Sequence, residues 1–256
     1  MRIVSLCPSL TELVFDLGLG DDLVGITKYC IHPADGVAAV EKVGGTKDPD
    51  VARITALAPD VVLVNEEENR KEDAEALTAA GLRLASSFPK TAPETATMVR
   101  DYGRVLGVEG PAEAIAADIE ARTAAVTARA AARGATRSFL YLIWRKPWMA
   151  CGADSFPSAL LEQAGGRNAL AGDPALADER FPALEADAIR ALDPDLVLLS
   201  SEPFPFEAKH ADELAVATGL PVERFRLVDG EDLSWHGSRT PRGVDYAEDA
   251  LWGPRG

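Results

Sequence analysis

The sequence predicts an α/β fold of two Rossmann-like lobes with mostly parallel sheets, joined by one long helix, with a ligand cleft between the lobes. Three observations support this prediction. Short β-rich runs alternate with helical runs in both halves of the chain. A long Ala-rich helical stretch separates the halves, and the halves share a sequence repeat. We place the first lobe at residues 1–108, the connecting helix at 109–134 and the second lobe at 135–256.

In the first half, strands and helices alternate in the order that is typical of a buried parallel sheet. The first strand is predicted from Arg2 to Leu6, and Ser9 with Glu12 forms a capping box that opens a helix ending near Leu17. The remaining predicted strands lie at residues 23–27, 61–64 and 82–86, and the remaining helices at 51–57 and 69–80.

Residues 91–133 predict helix with few interruptions, since Gly107 and the pair Gly110-Pro111 are the main turn signals. The Ala-rich part, residues 112–133, would be roughly 33 Å long at 1.5 Å per residue. A helix of this length could lie on a sheet as a crossover or join two lobes as a rigid strut. The pattern alone favours neither.

The second half resumes the alternation and resembles the first half in sequence. Seven residues between Ile54 and Leu63 recur in the same order between Ile189 and Leu198, each time as helix, Pro-Asp turn and buried strand. This similarity predicts two related α/β units. Strands are predicted at residues 138–143, 196–200 and 225–228, and helices at 157–164, 186–192 and 208–218.

Charge and cysteine content narrow the functional class. The net charge of −15 would repel a nucleic-acid backbone, so we expect no nucleic-acid partner. Three cysteines form no disulfide framework and indicate a reducing compartment. Because no signal peptide or lipobox is apparent, we expect a cytoplasmic protein, or a periplasmic or surface protein if the start codon is mis-assigned. We expect a monomer.

Ligands of open parallel sheets bind beyond the carboxyl ends of the strands, so the loops at those ends are the candidate binding loops. They combine aromatic rings, which can stack on a ligand, with cations and amides, which can bind its polar groups. Two loops each combine tryptophan with arginine, which a plain turn would not need. The predicted ligand-binding residues are Tyr29, His32, Lys47, Glu67, Asn69, Trp144, Arg145, Trp148, Trp235, His236 and Arg239.

Two chemical alternatives use the same loops. Cys30 and His32 form a Cys-x-His pair that His236 could complete as a transition-metal site, although the spacing is a weak signal. Ser9, either His32 or His236, and Asp232 could form a nucleophile, base and acid, but the chain has no Gly-x-Ser-x-Gly elbow. We therefore predict no catalytic residue, no protein-ligated metal and no required cofactor.

The order of these segments resembles a known family. The opening Ile3 to Leu13, the Tyr29–Pro33 loop, the run Ile54 to Leu63, the run Leu160 to Asn168 and the Trp235 loop together resemble the helical-backbone (class III) periplasmic substrate-binding proteins, with the cobalamin-binding branch most similar. The resemblance implies two α/β lobes bridged by a helix, and a cobalamin or ferric siderophore ligand held by aromatic residues.

The resemblance also implies a partner, an ABC permease, and places Tyr29 and Trp235 where cobalamin binders have ligand-contacting aromatics. The chain departs from that pattern at three positions. Thr46 stands where those binders have a stacking Trp, and Ala52 and Asp187 stand where each lobe has a docking glutamate. Three functions compete: the substrate-binding protein of an importer of corrinoid, siderophore or haem, a cytoplasmic ligand sensor or carrier, and an enzyme.

Overall fold

The structure is a computed structural model that describes residues 1–254. Its contacts divide the chain into two compact units. The first contains residues 1–89, 94–118 and 236–239, and the second contains 90–93, 119–235 and the chain from 240 onward. This division differs from the predicted one because the chain passes between the units again at residues 90–93 and 236–239. Contacts between distant residues create those assignments, and local sequence patterns do not encode them.

The first unit is built on a four-stranded parallel sheet. Its strands are β1 (Ile3–Ser5), β2 (Leu23–Ile26), β3 (Val61–Asn65) and β4 (Leu84–Ser87). They lie in the order β2-β1-β3-β4. Every residue of β3 is buried, as expected for a central parallel strand. The helices are α1 (Pro8–Asp16), α2 (Ala34–Val37), α3 (Val51–Ala56), α4 (Lys71–Ala79) and α5 (Ala92–Leu106). Helix α5 belongs to this unit from Glu94 onward.

The second unit is built on a six-stranded mixed sheet. Its strands are β5 (Arg137–Trp144), β6 (Trp148–Ala150), β7 (Gly166–Asn168), β8 (Ala183–Leu184), β9 (Leu196–Ser200) and β10 (Phe225–Val228). The order is β10-β9-β5-β6-β8, with β7 also paired to β5. Only the pairings that involve β6 are antiparallel. The second unit contains α6 (Glu109–Arg133) from Ile119 onward. Its other helices are α7 (Phe156–Gln163), α8 (Ala186–Leu192), α9 (Ala208–Thr218), α10 (Gly230–Ser234) and α11 (Thr240–Trp252).

The predicted mostly parallel α/β fold with one long helix is confirmed. The long helix α6 passes from the first unit to the second, since its residues up to Asp118 cluster with the first and those from Ile119 with the second. Residues 91–133 are mainly helical, as predicted, and the helix is interrupted at Gly107, which is one of the predicted turn signals. Gly107, with φ of +73°, ends the stretch that forms α5, and α6 begins two residues later.

The aspartate of the repeated Pro-Asp turn makes the same kind of hydrogen bond in both units. In the first unit, Asp60 Oδ2 accepts a hydrogen bond from the backbone N–H of Arg2 at 2.7 Å. In the second unit, Asp195 Oδ2 accepts from the backbone N–H of Ser138, also at 2.7 Å. Each aspartate precedes one central strand and ties it to the start of its neighbour, so the Pro-Asp turn sets the pairing of β1 with β3 and of β5 with β9.

Apolar side chains fill the core of each unit separately. In the first unit Val4, Ile54, Val62 and Leu77 are among the residues that pack together. In the second unit the corresponding core includes Ile189 of α8 and Val197 of β9, and it continues into aromatic residues after β9. Within residues 1–254, no helix has both the length and the apolar character needed to cross a membrane.

Candidate functional site

The exposed phenol of Tyr29 lies in the loop after β2, at the carboxyl edge of the first sheet. Its exposed fraction is 52%. Lys28 Nζ lies 5.2 Å from the centre of the Tyr29 ring and 3.6 Å from Asp48 Oδ2, in an exposed ion pair. An accessible ring beside a cation can stack on a flat ligand and attract an acidic group.

Cys30 and His32, the Cys-x-His pair of the same loop, differ in their environments. Cys30 is buried, and its Sγ accepts a hydrogen bond from Thr11 Oγ1 at 3.0 Å. Burial raises the pKa of this thiol above its usual value, which disfavours the thiolate that a metal would need. His32 is half-buried. Among the described residues, no three His, Cys, Asp or Glu side chains are arranged to hold a metal ion.

Lys47 and Glu67 lie on the same edge of the first unit. Lys47 is exposed, and its Nζ donates a hydrogen bond to the backbone oxygen of Glu67 at 2.5 Å. The acceptor is a backbone carbonyl, so this hydrogen bond does not pair the ammonium group with a carboxylate. The adjacent Glu68 is more enclosed, and burial raises the pKa of its carboxyl group while Lys47 opposes that shift. Lys47 therefore remains a candidate for binding an acidic or polar ligand group.

Asn69 is placed in the interior, where its amide joins three loops. Its Oδ1 accepts from the backbone N–H of Asn65 at 2.8 Å. Its Nδ2 donates to the backbone oxygens of Leu6 and Thr46, each at 3.0 Å. Because both sides of the amide are engaged with backbone groups, the structure gives Asn69 a supporting role that its position after a strand did not predict.

His236 is brought into the first unit, 227 positions in sequence from its contact Ser9. Its Nε2 lies 3.4 Å from Ser9 Oγ and 3.2 Å from Asn65 Nδ2. Asn65 Oδ1 accepts from the backbone N–H of Glu67, and this contact fixes the orientation of the amide. Because an amide nitrogen only donates, Nε2 must accept and the ring is neutral. Burial lowers the pKa of His236 from its usual 6.5 to about 4.

Arg239, three residues after His236, forms an ion pair with Glu12. Its guanidinium donates to both carboxylate oxygens of Glu12, at 2.6 and 2.8 Å. The predicted Ser9–Glu12 capping box is therefore wrong, since Glu12 pairs with Arg239 and helix α1 begins at Pro8 after Cys7 without a side-chain cap. The Arg239–Glu12 pair holds residues 236–239 against α1, which leaves Arg239 poorly placed to bind an anion.

The catalytic alternative is only partly assembled. Ser9 and His236 are in contact, but His236, with a pKa of about 4, is a weak base at neutral pH. The carboxylate proposed as the third member, Asp232, lies 2.8 Å from Arg242 Nη2. Ser9 is itself buried. Ser9 and His236 support the packing of residues 236–239, and the set lacks the exposed nucleophile and strong base that acyl transfer requires.

The second unit carries an aromatic cluster at the carboxyl edge of its sheet, defined here as Trp144, Trp148, Phe204, Phe206 and His210. Trp144 is 42% exposed and meets Phe204 edge-on, with ring centres 5.9 Å apart. Phe204 in turn meets Phe206 at 4.9 Å, and Phe206 stacks on Trp148 at 6.2 Å. The cluster therefore runs from the apolar core to an exposed indole.

Arg145 supports the aromatic cluster and is paired with a carboxylate. Its Nε and Nη2 donate to Glu213 at distances between 2.8 and 3.0 Å. Its guanidinium carbon lies 5.9 Å from the centre of the Trp148 ring. In this two-point pairing the Glu213 carboxylate neutralises the guanidinium charge of Arg145, which we had expected to bind the ligand. The side chain instead holds helix α9 beside the cluster.

Trp235, at the end of α10, is nearly enclosed. Its exposed fraction is 7%, and its Nε1 donates a hydrogen bond to Glu202 Oε1 at 2.7 Å. Sequence reasoning did not identify Phe204, Phe206 or Glu213 as site residues. Phe204 and Phe206 follow the buried strand β9, so the rule that found the Trp144 loop could also have found them. Nothing local marks Glu213, which lies on a helix.

A cavity of about 440 Å³ lies within the first unit, between strand β4 and helix α5. Ser86, Phe88, Met98 and Tyr102 are among its lining residues. None of the predicted ligand-binding residues lines it. The cavity is therefore separate from the predicted ligand-binding residues.

Comparisons with known proteins agree with the fold. Residues 3–217 match the family model described as periplasmic binding protein. The chain is 24% identical to a vitamin B12-binding protein of Vibrio parahaemolyticus over 94% of this chain and 84% of that protein. It is 25% identical to a vitamin B12-binding protein of Photorhabdus laumondii, over 78% of this chain and 70% of that one.

Solved structures give the same result. The periplasmic vitamin B12 binding protein of Vibrio cholerae superposes with a TM-score of 0.82 at 20% identity, covering 98% of this chain and 96% of that one. The periplasmic heme-binding protein of Roseiflexus sp. RS-1 superposes with a TM-score of 0.83 at 25% identity, covering 97% and 98%. Because the matched family and these relatives are periplasmic, the expectation of a cytoplasmic location is wrong.

Proposed function

Because the chain belongs to the periplasmic binding protein family, we propose that it captures a planar metal macrocycle, cobalamin in the first place, for an importer. Members of this family are ligand-binding components of ABC transporters that work with permeases, and they bind their ligands without transforming them. Relatives of this chain are named for vitamin B12 and for haem, which share a large flat ring around a metal. The proposal assigns ligand contacts to Tyr29, Trp144 and Trp235.

One observation carries the proposal: each unit presents an exposed aromatic ring at the carboxyl edge of its own parallel sheet. Tyr29 follows β2 in the first unit, and Trp144 ends β5 in the second. A flat macrocycle can stack on exposed rings at such positions. Their placement therefore favours a ligand with extended flat faces over a compact anion.

The charges near these rings favour cobalamin over a strongly acidic siderophore. Arg145 and Arg239, both expected to attract an anion, are paired with Glu213 and Glu12. Lys28, beside the Tyr29 ring, is also ion-paired, with Asp48, whereas Lys47 donates to a backbone oxygen. Cobalamin carries mainly neutral amide groups around its ring, so it needs few cationic partners.

We propose further that this chain performs no chemistry on its ligand. The contact between Ser9 and His236 is the closest approach to a catalytic pair, and it is buried. Burial keeps His236 neutral at physiological pH, with a pKa of about 4. The expected result is that bound cobalamin is recovered unchanged after long incubation, as checked by chromatography and its absorption spectrum.

The test is a binding titration with cyanocobalamin on wild-type protein and two variants, Tyr29→Ala and Trp144→Ala. Loss of a stacking ring should weaken binding by about 10-fold or more in each variant. Phe181→Ala is the matched control, because Phe181 is also an exposed aromatic of the second unit but lies outside the aromatic cluster. Equal affinity in all four proteins would contradict the assignment.

Haem is the second candidate, and the exposed phenol of Tyr29 favours it. A phenolate can ligate ferric iron directly, whereas cobalamin would use only the flat face of the ring. The variant Tyr29→Phe keeps the ring and removes the oxygen. If haem is the ligand, Tyr29→Phe should change the haem absorption spectrum and weaken binding; if cobalamin is the ligand, this variant should bind like wild type.

The partner that we propose is an ABC permease, approached through helices α3 and α8. Ala52 on α3 is exposed and uncharged, whereas Asp187 on α8 is 82% exposed in its side chain and lies 2.7 Å from Arg190. A partner cation at α8 would compete with Arg190 for this carboxylate. Asp187→Ala should therefore weaken docking to the permease more than Ala52→Ser does, measured by co-purification from membranes.

A further inference from the structure

Trp235 is fixed at both its backbone and its ring. Its backbone N–H donates to the oxygen of Glu231 at 2.9 Å, which ends helix α10. Its indole N–H donates to Glu202 Oε1 at 2.7 Å. A hydrogen bond to a carboxylate is stronger than one between neutral groups, especially when partly shielded from water. The ring therefore has a defined orientation before any ligand arrives.

Glu202 is in turn held by buried polar groups beneath it. Ser200 Oγ donates to the backbone oxygen of Glu202 at 2.6 Å and accepts from its backbone N–H at 3.3 Å. Tyr141 completes the network, since its hydroxyl donates to Ser200 Oγ at 2.9 Å. Ser200 and Tyr141 are fully buried. The backbone of Glu202 is thus anchored to strands β5 and β9.

The start of α10 packs so closely on this network that only glycine fits there. A Cβ added to Gly230 would lie 2.3 Å from Ser200 Oγ and 2.6 Å from Glu202 Cγ. The N–H of Gly230 also donates to Ser201 Oγ at 2.8 Å. The helix that carries Trp235 and the loop that carries Glu202 are therefore locked to each other at one end, and the Glu202–Trp235 hydrogen bond joins them at the other.

We infer that Glu202 is a positioning residue: it orients the indole of Trp235 for the ligand and so contributes to affinity without touching the ligand itself. The inference rests on the proposed function, which assigns Trp235 to the ligand. A ring that is already oriented loses little conformational freedom when a macrocycle binds, whereas a freed ring must be ordered at that moment. Glu202 thereby reduces the entropy cost of binding.

The test uses three variants. Glu202→Ala removes the acceptor, and Glu202→Gln keeps an oxygen that can accept from the indole N–H. Glu223→Ala is the matched control, since Glu223 is an exposed glutamate of the same unit. Each is prepared twice. One version has the natural background and is titrated with cyanocobalamin and haemin. The other has Trp144, Trp148 and Trp252 changed to Phe, so that Trp235 is the only tryptophan and is excited selectively.

Without ligand, Glu202→Ala should shift Trp235 emission to longer wavelength and increase its quenching by acrylamide, while Glu202→Gln and Glu223→Ala should leave the quenching unchanged. In the natural background, Glu202→Ala should weaken ligand binding by about 10-fold, and Glu202→Gln should restore it. A purely structural role would not give this recovery together with the spectroscopic change. Circular dichroism confirms that each variant is folded.

Two results would overturn the inference. One is unchanged Trp235 emission and quenching in Glu202→Ala, which would mean that the carboxylate does not orient the ring. The other is changed emission with unchanged affinity, which would mean that the orientation is irrelevant to the ligand. Failure of wild-type protein to bind either macrocycle would instead overturn the proposed function, and the ligand-free emission arm distinguishes the two failures.

Discussion

At the scale of single residues, His236 is a titratable side chain in a buried environment. It is buried against Ser9 and Asn65, and its Nε2 accepts a hydrogen bond from the Asn65 amide. A proton on Nε2 would face the amide N–H and break this contact. Burial and this arrangement make the neutral ring part of what holds residues 236–239 in the first unit.

The pKa of His236, lowered from 6.5 to about 4, predicts a loss of stability in acid. Between pH 6.5 and pH 4 the unfolded chain binds a proton at this histidine and the folded protein does not. The neutral ring's contribution to the free energy of unfolding is therefore complete above pH 6.5 and is lost as the pH falls toward 4. The shift corresponds to about 3 kcal/mol. Urea unfolding at pH 7 and pH 4 measures it.

The control for this prediction is His236→Gln, whose side chain does not titrate. Carboxylates also contribute to acid sensitivity, and they do so equally in both proteins. The wild-type protein should therefore lose up to about 3 kcal/mol more than the variant between pH 7 and pH 4. An identical pH dependence in the two proteins would show that His236 is not buried as described.

The three cysteines give a second prediction at this scale. All are buried, and burial, as the largest cause, raises the pKa of the Cys7 thiol from 9.0 to about 12. Since the thiolate is the reactive form, the native protein at pH 8 should react slowly with Ellman's reagent. In denatured protein the absorbance change should correspond to three thiols per chain. Rapid labelling of native protein would contradict the burial of these side chains.

The sequence located loops better than it assigned roles to their side chains. Tyr29 and Trp144, predicted as ligand contacts, are exposed where a ligand could reach them, although their contacts with a ligand stay a prediction. Arg145 and Arg239 are paired with glutamates on helices α9 and α1, far away in sequence. Local sequence shows that a cation follows a strand, but not which carboxylate the fold brings beside it.

At the scale of secondary-structure elements, the Pro-Asp turn is the feature that the two halves use in the same way. Asp195 accepts hydrogen bonds from the backbone N–H and the hydroxyl of Ser138 at 2.7 and 2.8 Å. These bonds, the backbone one first, hold the pKa of its carboxyl group below the usual range. The aspartate thereby fixes the first residues of β5 against β9.

Asp195→Ala should destabilise the protein by about 1 kcal/mol, since it removes the acceptor for both Ser138 groups at a partly solvated position. Asp195→Asn should lose less, because its amide oxygen still accepts from the backbone N–H. Asp178→Ala is the control, an exposed aspartate of the same unit. Urea denaturation measures all three, and equal stability of Asp195→Ala and the control would contradict the role of this turn.

Elements were predictable where they are long and periodic, and less so where a tertiary contact defines them. The buried strands β3 and β9 were predicted within a residue because each is a continuous apolar run. The short strands β6, β7 and β8, of two or three residues, carry no periodic signal and were missed. The break between α5 and α6 depends on the left-handed Gly107, which a single glycine in sequence indicates only weakly.

At the scale of the whole molecule, the alternation of strands and helices was sufficient to predict two α/β units and one long helix. Sequence order could not predict that residues 236–239 cluster with the first unit. That assignment follows from the contacts of His236 with Ser9 and Asn65 and of Arg239 with Glu12. The identity of the ligand could not be predicted from the sequence either, because ligand specificity depends on which charged side chains remain unpaired after folding.

The central claim is that this family member binds a planar metal macrocycle, and native mass spectrometry with ligand titration tests it most directly. Purified protein is mixed with cyanocobalamin, haemin or a ferric siderophore, and each complex is quantified against the free chain. We predict saturable binding of one cobalamin per chain at micromolar concentration or below, and weaker binding of the siderophore. Equal, non-saturable adducts with all three, or none with any, would contradict the account.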